Sequence, residues 1–364
     1  MQELLVKHAD ILCCPNCRGS ISITGGEALA CQSCKAVYPS DSGIPLLFAP
    51  HDGQGAAADV TDAVKAFYER NPFPNYDDLD SKETLAEKAS RGIFARLLDE
   101  QLPGGSIVLE CGCGTGQLSN FLGIRWNRAV FGSDLCLNSL RLAKGFRDRC
   151  GIRNAAFLQM NLFRPAFKPE VFDLIICNGV LHHTSDPLGG FRSISRLVKP
   201  RKFIIIGLYN AIGRLATDFR RLLFRVSGDR LRFVDGHMRN GTYNESRKLA
   251  WFMDQYKHPH ESKHSYSEVL GWFESNGFDF VFSVPKIDPG PFTAEEQIFV
   301  PHDKGTKATR FLTEVGLALR RGDSGGLFMM IGRKSQGRVA EAASPMADAT
   351  AAAGTCASGV GLLN

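Results

Sequence analysis

Between residues 107 and 208, short, mostly apolar runs alternate with amphipathic stretches. The runs are 107–109, 129–132, 156–160, 174–177 and 203–208. Each is too short for a buried helix and so predicts a strand, and the unbroken run 174–177 suits the middle of a parallel sheet. Between them, Leu118, Phe121 and Leu122, then Leu137, Leu140 and Leu142, recur at helical spacing, and a further helix is predicted over 189–198. Strand and helix in alternation predict an α/β layer structure with a parallel sheet. Upstream, Leu85, Ile93, Phe94, Leu97 and Leu98 place an apolar stripe on one helix over 82–102, which Pro103-Gly104-Gly105 ends. Downstream, a helix at 267–276 precedes strands at 278–284 and 327–331.

The first fifty residues follow another pattern. Ile21, Ile23 and Leu29 flank Gly25-Gly26 and predict a β-hairpin. Cys14 and Cys17 lie before it, and Cys31 and Cys34 after it, as two C-x-x-C pairs. Two such turns present four thiolates to one tetrahedral zinc ion. The competing readings are two structural disulfides or redox-active pairs, and Cys13 is an alternative to Cys14. So small a unit buries little core, and zinc would supply much of its folding free energy, on the order of 10 kcal/mol.

The stretch IVLECGCGTG at 107–116 joins the first strand of the core to its first helix. Glycines at such a turn let a ligand approach the backbone, and the helix N-terminus favours negative charge. A dinucleotide site calls for Gly-x-Gly-x-x-Gly, but the last position here is Gln117, and Glu110 stands where the loop starts. A carboxylate repels a pyrophosphate and attracts an ammonium or sulfonium. S-adenosylmethionine carries both cations, with a carboxylate for the helix N-terminus. The spacing E-x-G-x-G-x-G, with Glu110, Gly112, Gly114 and Gly116, resembles motif I of class I S-adenosylmethionine-dependent methyltransferases. A tight turn in any other α/β protein is the bland alternative.

That resemblance continues along the chain. Asp134 ends the second strand about 20 residues on, where a carboxylate accepts from two ribose hydroxyls or caps the next helix. The third strand ends at Asn161, where the family often has Asp facing the adenine amino group; the Asn side-chain oxygen also accepts. Leu135, Leu162 and Asn178 are assigned to the same cofactor site. FDLIICNGVLHH at 172–183 resembles motif IV of the small-molecule members. It delivers His182 and His183 to a carboxyl strand end, where ligands bind. One of the two is expected to be the catalytic base, because imidazole takes a proton near neutral pH. After Lys199-Pro200 the family often has Gly-Gly, whereas this chain has Arg201-Lys202. The resemblance implies a Rossmann-like seven-stranded sheet with helices on both faces, closing in an antiparallel hairpin. The ending YPSDSGIPLLF looks like the close of the zinc ribbons that accompany methyltransferases.

The expected division is a zinc ribbon at 1–50 and a linker with cofactor-covering helices at 51–102. The methyltransferase domain would follow at 103–334, with an insertion at 209–264 as substrate lid, and a disordered Ala/Ser/Gly-rich tail at 335–364. Phe67, Tyr68, Phe73 and Tyr76 either fold over the cofactor or pack a loop onto the core. The insertion opens with a basic amphipathic stretch carrying Ile212, Leu215, Phe219, Leu222, Leu223 and Val226. It covers the site, touches an anionic substrate, or lies on a membrane or RNA surface. His258, His260, Glu261 and His264 close it; a second metal is one reading, substrate contact another. Tyr68, Tyr76, Tyr209 and His258 are the candidate substrate contacts.

Composition adds limits. At 364 residues, 44% hydrophobic and 22% charged, the chain is an ordinary globular one. Its +5 charge permits an anionic partner without requiring one. No apolar run reaches membrane-spanning length, no signal peptide is evident, and eleven cysteines, an odd number, suit a reducing cytoplasm. The expected partner is a small-molecule acceptor, with RNA or protein substrates and a non-catalytic binding role as alternatives; oligomeric state is not legible.

Overall fold

A computed structural model describes residues 1–25, 28–50, 56–70, 76, 81–241, 244–288, 290–319 and 325–336. The predicted tail beyond residue 336, and Phe73 with its neighbours at 71–75, lie outside the described residues.

The N-terminal module contains α1 (Glu3–Lys7), β1 (Ile21–Ile23), β2 (Leu29–Cys31), β3 (Val37–Tyr38), β4 (Ser40–Asp41) and β5 (Ile44–Leu47). Strands β1, β2 and β3 form the predicted small antiparallel sheet. Next come α2 (Ala56–Arg70), α3 (Lys82–Arg91) and α4 (Ile93–Gln101). The single helix expected over 82–102 is therefore two. Gly92 sits between them in extended backbone, φ −83° and ψ 114°, serving as C-cap of one and N-cap of the other.

The core follows as β6 (Ile107–Cys111), α5 (Gln117–Gly123), β7 (Ala129–Asp134), α6 (Leu137–Arg149), β8 (Ala155–Met160), β9 (Phe172–Asn178), α7 (Pro187–Ser195) and β10 (Val198–Tyr209). Strand β10 runs through Arg201-Lys202, and Arg201 takes a φ of +63°, the left-handed conformation that glycine adopts freely. The insertion supplies α8 (Leu215–Ser227), α9 (Gly236–Arg239) and α10 (Glu245–Tyr256). The chain ends in α11 (Tyr266–Ser275), β11 (Phe278–Val284), α12 (Lys307–Leu319) and β12 (Leu327–Lys334). Strands β11 and β12 pair antiparallel as expected, but α12 lies between them in sequence, so the connection is no tight hairpin.

The main sheet has nine strands in the order β11-β12-β10-β9-β6-β7-β8-β5-β4. Seven of them, β11 through β8, are the predicted Rossmann-like sheet. The other two come from the N-terminal module: β5 pairs parallel with β8 through Leu46 and Leu47, and β4 turns back on β5. The module is thus built into the sheet edge. Gln2 reinforces this: its side-chain amide donates to the Phe157 carbonyl at 2.6 Å and accepts from the Phe157 N–H at 2.9 Å, completing β8 as a strand would. Arg18 donates to the carbonyls of Pro165 and Phe167.

Side-chain alternation along each strand divides the interior into two cores. Leu109, Phe131, Leu158, Ile175 and Ile204 face one side, where α1, α7 and α11 pack. Val108, Val130, Phe157, Leu174 and Ile205 face the other, against α3, α4, α5 and α6. The insertion has its own small cluster of Phe224, Phe252 and Tyr256.

Candidate active site

The carboxyl ends of β6, β7, β8 and β9 converge on one cavity of about 460 Å³. Gly112, Gly114, Asp134, Leu135, Asn161, Leu162 and Asn178 all line it, together with Glu110. Gly116 does not. Its φ is +74°, and a β-carbon there would stand 2.6 Å from the Phe157 ring and 2.7 Å from Ala143, so this glycine serves helix–sheet packing. Gly112 admits no side chain for another reason: a β-carbon would lie 2.3 Å from the Val180 side chain, which also lines the cavity.

Glu110 is buried and accepts from the Ser119 hydroxyl at 2.5 Å. Burial pushes its carboxyl up to about 7, against the opposing pull of that hydrogen bond. Asp134 accepts from the Gly114 N–H and the Cys136 N–H, both at 2.8 Å. The first of these bonds engages a turn N–H that the sequence reserved for the ligand. Burial raises the Asp134 carboxyl as well, with the backbone donors from Cys136 and Gly114 opposing it. Asp134 does not cap α6; the Cys136 thiol does, accepting from Ser139 N–H. Both carboxylates stand at the rim of an apolar cavity, and a cationic ligand group with hydroxyl donors suits them electrostatically.

Asn161 lines the cavity, and its side chain is already engaged on both atoms. Its oxygen accepts from the Phe163 N–H at 3.0 Å, and its amide donates to the Ala49 carbonyl at 3.1 Å. The side chain pins the end of β8 to the N-terminal module. Tyr76 is also displaced from its predicted function. Its hydroxyl donates to the Thr115 carbonyl at 2.7 Å and accepts from Asn120, and its ring stacks on Phe146 at 4.4 Å, propping the glycine turn from behind.

The two histidines separate. His183 lines the cavity and His182, fully buried, does not. His183 Nδ1–H donates to the His260 carbonyl at 2.8 Å, since a carbonyl only accepts. In the neutral ring Nε2 is then an acceptor, and His182 Nε2–H donates to it at 3.1 Å. Burial, then the nearby His258 ring, lowers His183 to about 3. His182 is lowered well below the usual range by burial and by His183. Both rings are thus neutral at pH 7 and bonded to one another.

The opposite wall was only partly legible. Val64, Lys65 and Tyr68 of α2 reach over the cavity, and Tyr209, Trp251, Asp254 and Gln255 come from the end of β10 and from α10. The Tyr68 hydroxyl donates to Asp254 Oδ1 at 2.9 Å, latching α2 to the insertion. Gln255 donates to Asp254 Oδ2 and to the Tyr209 hydroxyl, both at 2.9 Å. Arg214, fully buried, donates to Gln255 at 2.6 Å, forks onto Glu261 at 2.9 and 2.7 Å, and lies 3.7 Å over the Tyr209 ring. Sequence reading missed Asp254, Gln255 and Trp251; a carboxylate within the apolar run WFMDQY was the available signal. His258 does not line this cavity. It stacks on His183 at 3.6 Å between ring centres. Glu261 is committed to Arg214 and Arg221, which removes it from any metal set with His258, His260 and His264.

Among the described residues, the only cluster suited to a metal is Cys14, Cys17, Cys31 and Cys34, whose sulfurs lie within 4.8 Å of one another. The Cys14–Cys34 and Cys17–Cys31 separations are 3.6 and 3.5 Å. Tetrahedral ligands at about 2.3 Å from zinc stand about 3.8 Å apart, whereas a disulfide is about 2.05 Å. All ten described cysteines are free. The Tyr38 hydroxyl reaches Cys14 Sγ at 3.1 Å, a donor suited to a thiolate. The donor set fits zinc.

Residues 109–206 match the family model described as a methyltransferase domain. This part of the chain is accordingly a methyltransferase domain of the class I, S-adenosylmethionine-dependent kind. An uncharacterized protein of Synechococcus is 26% identical over 249 residues, 61% of this chain and 60% of its own length. The ubiquinone biosynthesis O-methyltransferase of Klebsiella pneumoniae is 31% identical over 111 residues, 30% of this chain and 45% of that protein. This chain thus spans about half to three fifths of the curated relatives it matches. PKMT2 from Rickettsia typhi, solved with AdoHcy, aligns at a TM-score of 0.48 and 14% identity, over 68% of this chain and 54% of that one. No described helix is long and apolar enough to cross a membrane.

Proposed function

We propose that this chain transfers a methyl group from S-adenosylmethionine to a nucleophilic atom of a small molecule, with oxygen as the favoured acceptor atom. The observation that carries the reading is the single cavity in which the buried Glu110 and Asp134 at one side meet Tyr209, Trp251 and Asp254 at the other. The donor's sulfonium supplies the electrophilic methyl. Glu110 faces the ammonium and Asp134 the ribose hydroxyls, while Leu135 and Leu162 provide apolar contact. Alignment is the main catalytic contribution, with reacting atoms about 3–3.5 Å apart. The latch between Tyr68 and Asp254 closes α2 over the cavity and limits its water.

With both motif IV histidines neutral and bonded to one another, the acceptor's proton goes to Asp254. Its carboxyl is raised by burial, against donors from Tyr68 and Gln255, and it lines the cavity. Oxygen is favoured because the named curated relatives are O-methyltransferases. Four-thiolate zinc at Cys14, Cys17, Cys31 and Cys34 is structural in this reading, since the cluster is absent from the cavity lining.

The test uses the purified chain, methyl-labelled S-adenosylmethionine and an extract lacking the native enzyme. Label entering the small-molecule fraction is expected. Label in RNA or protein instead would sink the small-molecule reading. Calorimetry showing no binding of S-adenosylmethionine would sink the methyltransferase reading for this chain.

A further inference from the structure

Helix α8 has one buried side and one exposed apolar side. Phe224 is buried against Phe252 and Tyr256 of α10, with ring centres 5.7 and 4.8 Å apart, and Thr217 lies on the same side. Leu215, Phe219, Leu222 and Val226 are 58, 68, 57 and 80% exposed. Their spacing of four, three and four residues sets them in one line along the helix, opposite Phe224. Scattered exposed apolar residues are ordinary, but a continuous stripe marks an interaction surface.

The charge around the stripe identifies its partner. Arg225 projects about a quarter-turn from it. Arg225 and, just beyond the helix, Arg230 are exposed and form no ion pair among the described residues; Arg232 is exposed as well, with Glu245 within electrostatic reach. Residues 209–264 hold eleven Arg and Lys against six Asp and Glu, a net +5 that equals the charge of the whole chain. Two copies meeting stripe to stripe would bring these cations together. A surface of anionic lipid offers apolar depth for the stripe and phosphates for the arginines.

We propose that α8 docks the insertion onto an anionic bilayer surface, lying in the interfacial plane with Leu215, Phe219, Leu222 and Val226 inserted. The same insertion builds the cavity wall, through Asp254 and through Gln255, which Arg214 holds, so docking would bear directly on the acceptor side of the site.

The experiment is co-sedimentation of the full chain with vesicles of phosphatidylcholine alone, or of phosphatidylcholine with phosphatidylglycerol. Binding to the anionic vesicles is expected, and it should weaken with added salt. Phe219→Glu with Leu222→Glu should reduce it more than about tenfold. Arg225→Gln with Arg230→Gln should reduce it about fivefold per arginine. Both variants alter exposed residues and should melt as the wild type does and bind S-adenosylmethionine equally well. Absence of binding to anionic vesicles, or equal binding by the Phe219/Leu222 variant, would overturn the proposal. So would a wild-type dimer that the same variant turns into a monomer, since the stripe would then be a self-association face. None of these outcomes depends on methyl transfer, so the docking proposal and the catalytic reading fail separately.

Discussion

Glu110→Gln should make the empty protein more stable while destroying its cofactor site. The folded protein holds the Glu110 proton more tightly than an unfolded chain does, about 7 against the ordinary 4.5. A raised carboxyl contributes stability that is complete below pH 4.5 and is lost as pH rises through about 7. The gap corresponds to ~3 kcal/mol of lost stability at pH 8. Glutamine carries no charge, and its carbonyl can still accept from Ser119. The variant should therefore melt about 5 °C above the wild type at pH 8, with the difference vanishing by about pH 5. Ligand binding should show the reverse dependence. The wild type must shed the Glu110 proton to meet an ammonium, so its affinity for S-adenosylmethionine should be about tenfold weaker at pH 6 than at pH 8. In the variant, affinity should be low throughout, without that slope. Calorimetric melting and titration at pH 5 to 8 provide the data. An unchanged melting temperature at pH 8, an equal rise at pH 5 and 8, or a pH-independent wild-type affinity would refute the reasoning.

Protein purified without chelators should hold about one zinc per chain, and stripping it should lower the main melting transition, because the ribbon's last strands are joined to β8; finding no zinc, or an unaffected transition, would count against the site. The His183 ring should remain neutral down to about pH 4, with the proton on Nδ1, since its folded value is about 3; imidazole NMR showing a midpoint near 6.5 would contradict this. Glu261→Ala should cost ~3–5 kcal/mol in denaturant unfolding, because Arg214 would be left buried without its carboxylate; a loss below about 1 kcal/mol would show that the pair contributes little.

The parts legible in the sequence were those with a local physical signature. Short, mostly apolar runs located all five central parallel strands, because a strand buried on both faces shows little polar alternation. The glycine turn and the four cysteines were legible because each depends on spacing within one turn or hairpin, and Asp134 because it ends the next strand about 20 residues on. Roles set by distant partners were not. Asn161 has the composition of an adenine contact, but its oxygen already accepts from Phe163 N–H and Ala49, 112 positions earlier, takes its amide. His182 and His183 have the composition of bases, but the partners that hold them, the carbonyl of His260 and each other, are not visible in the local sequence. Asp254 was overlooked because a carboxylate among the apolar residues of α10 is a weak signal by itself, and Tyr68 brought across from α2 is what shows its place in the site.

The same logic changes what the N-terminal module is for. A zinc ribbon read from sequence alone is an appendage that recognises something outside the domain. Here its strand β5 lies beside β8, and the end of β8 delivers Asn161 and Leu162 to the cavity. Ala49, two residues after β5, holds Asn161, and Gln2 bonds both backbone groups of Phe157, whose ring closes against Gly116. The metal cluster is thus positioned to rigidify the sheet edge that carries part of the cofactor site. A module that contributed only substrate recognition would need none of these bonds. Its loss should consequently appear as weaker binding of S-adenosylmethionine as well as lower stability, before any acceptor is considered.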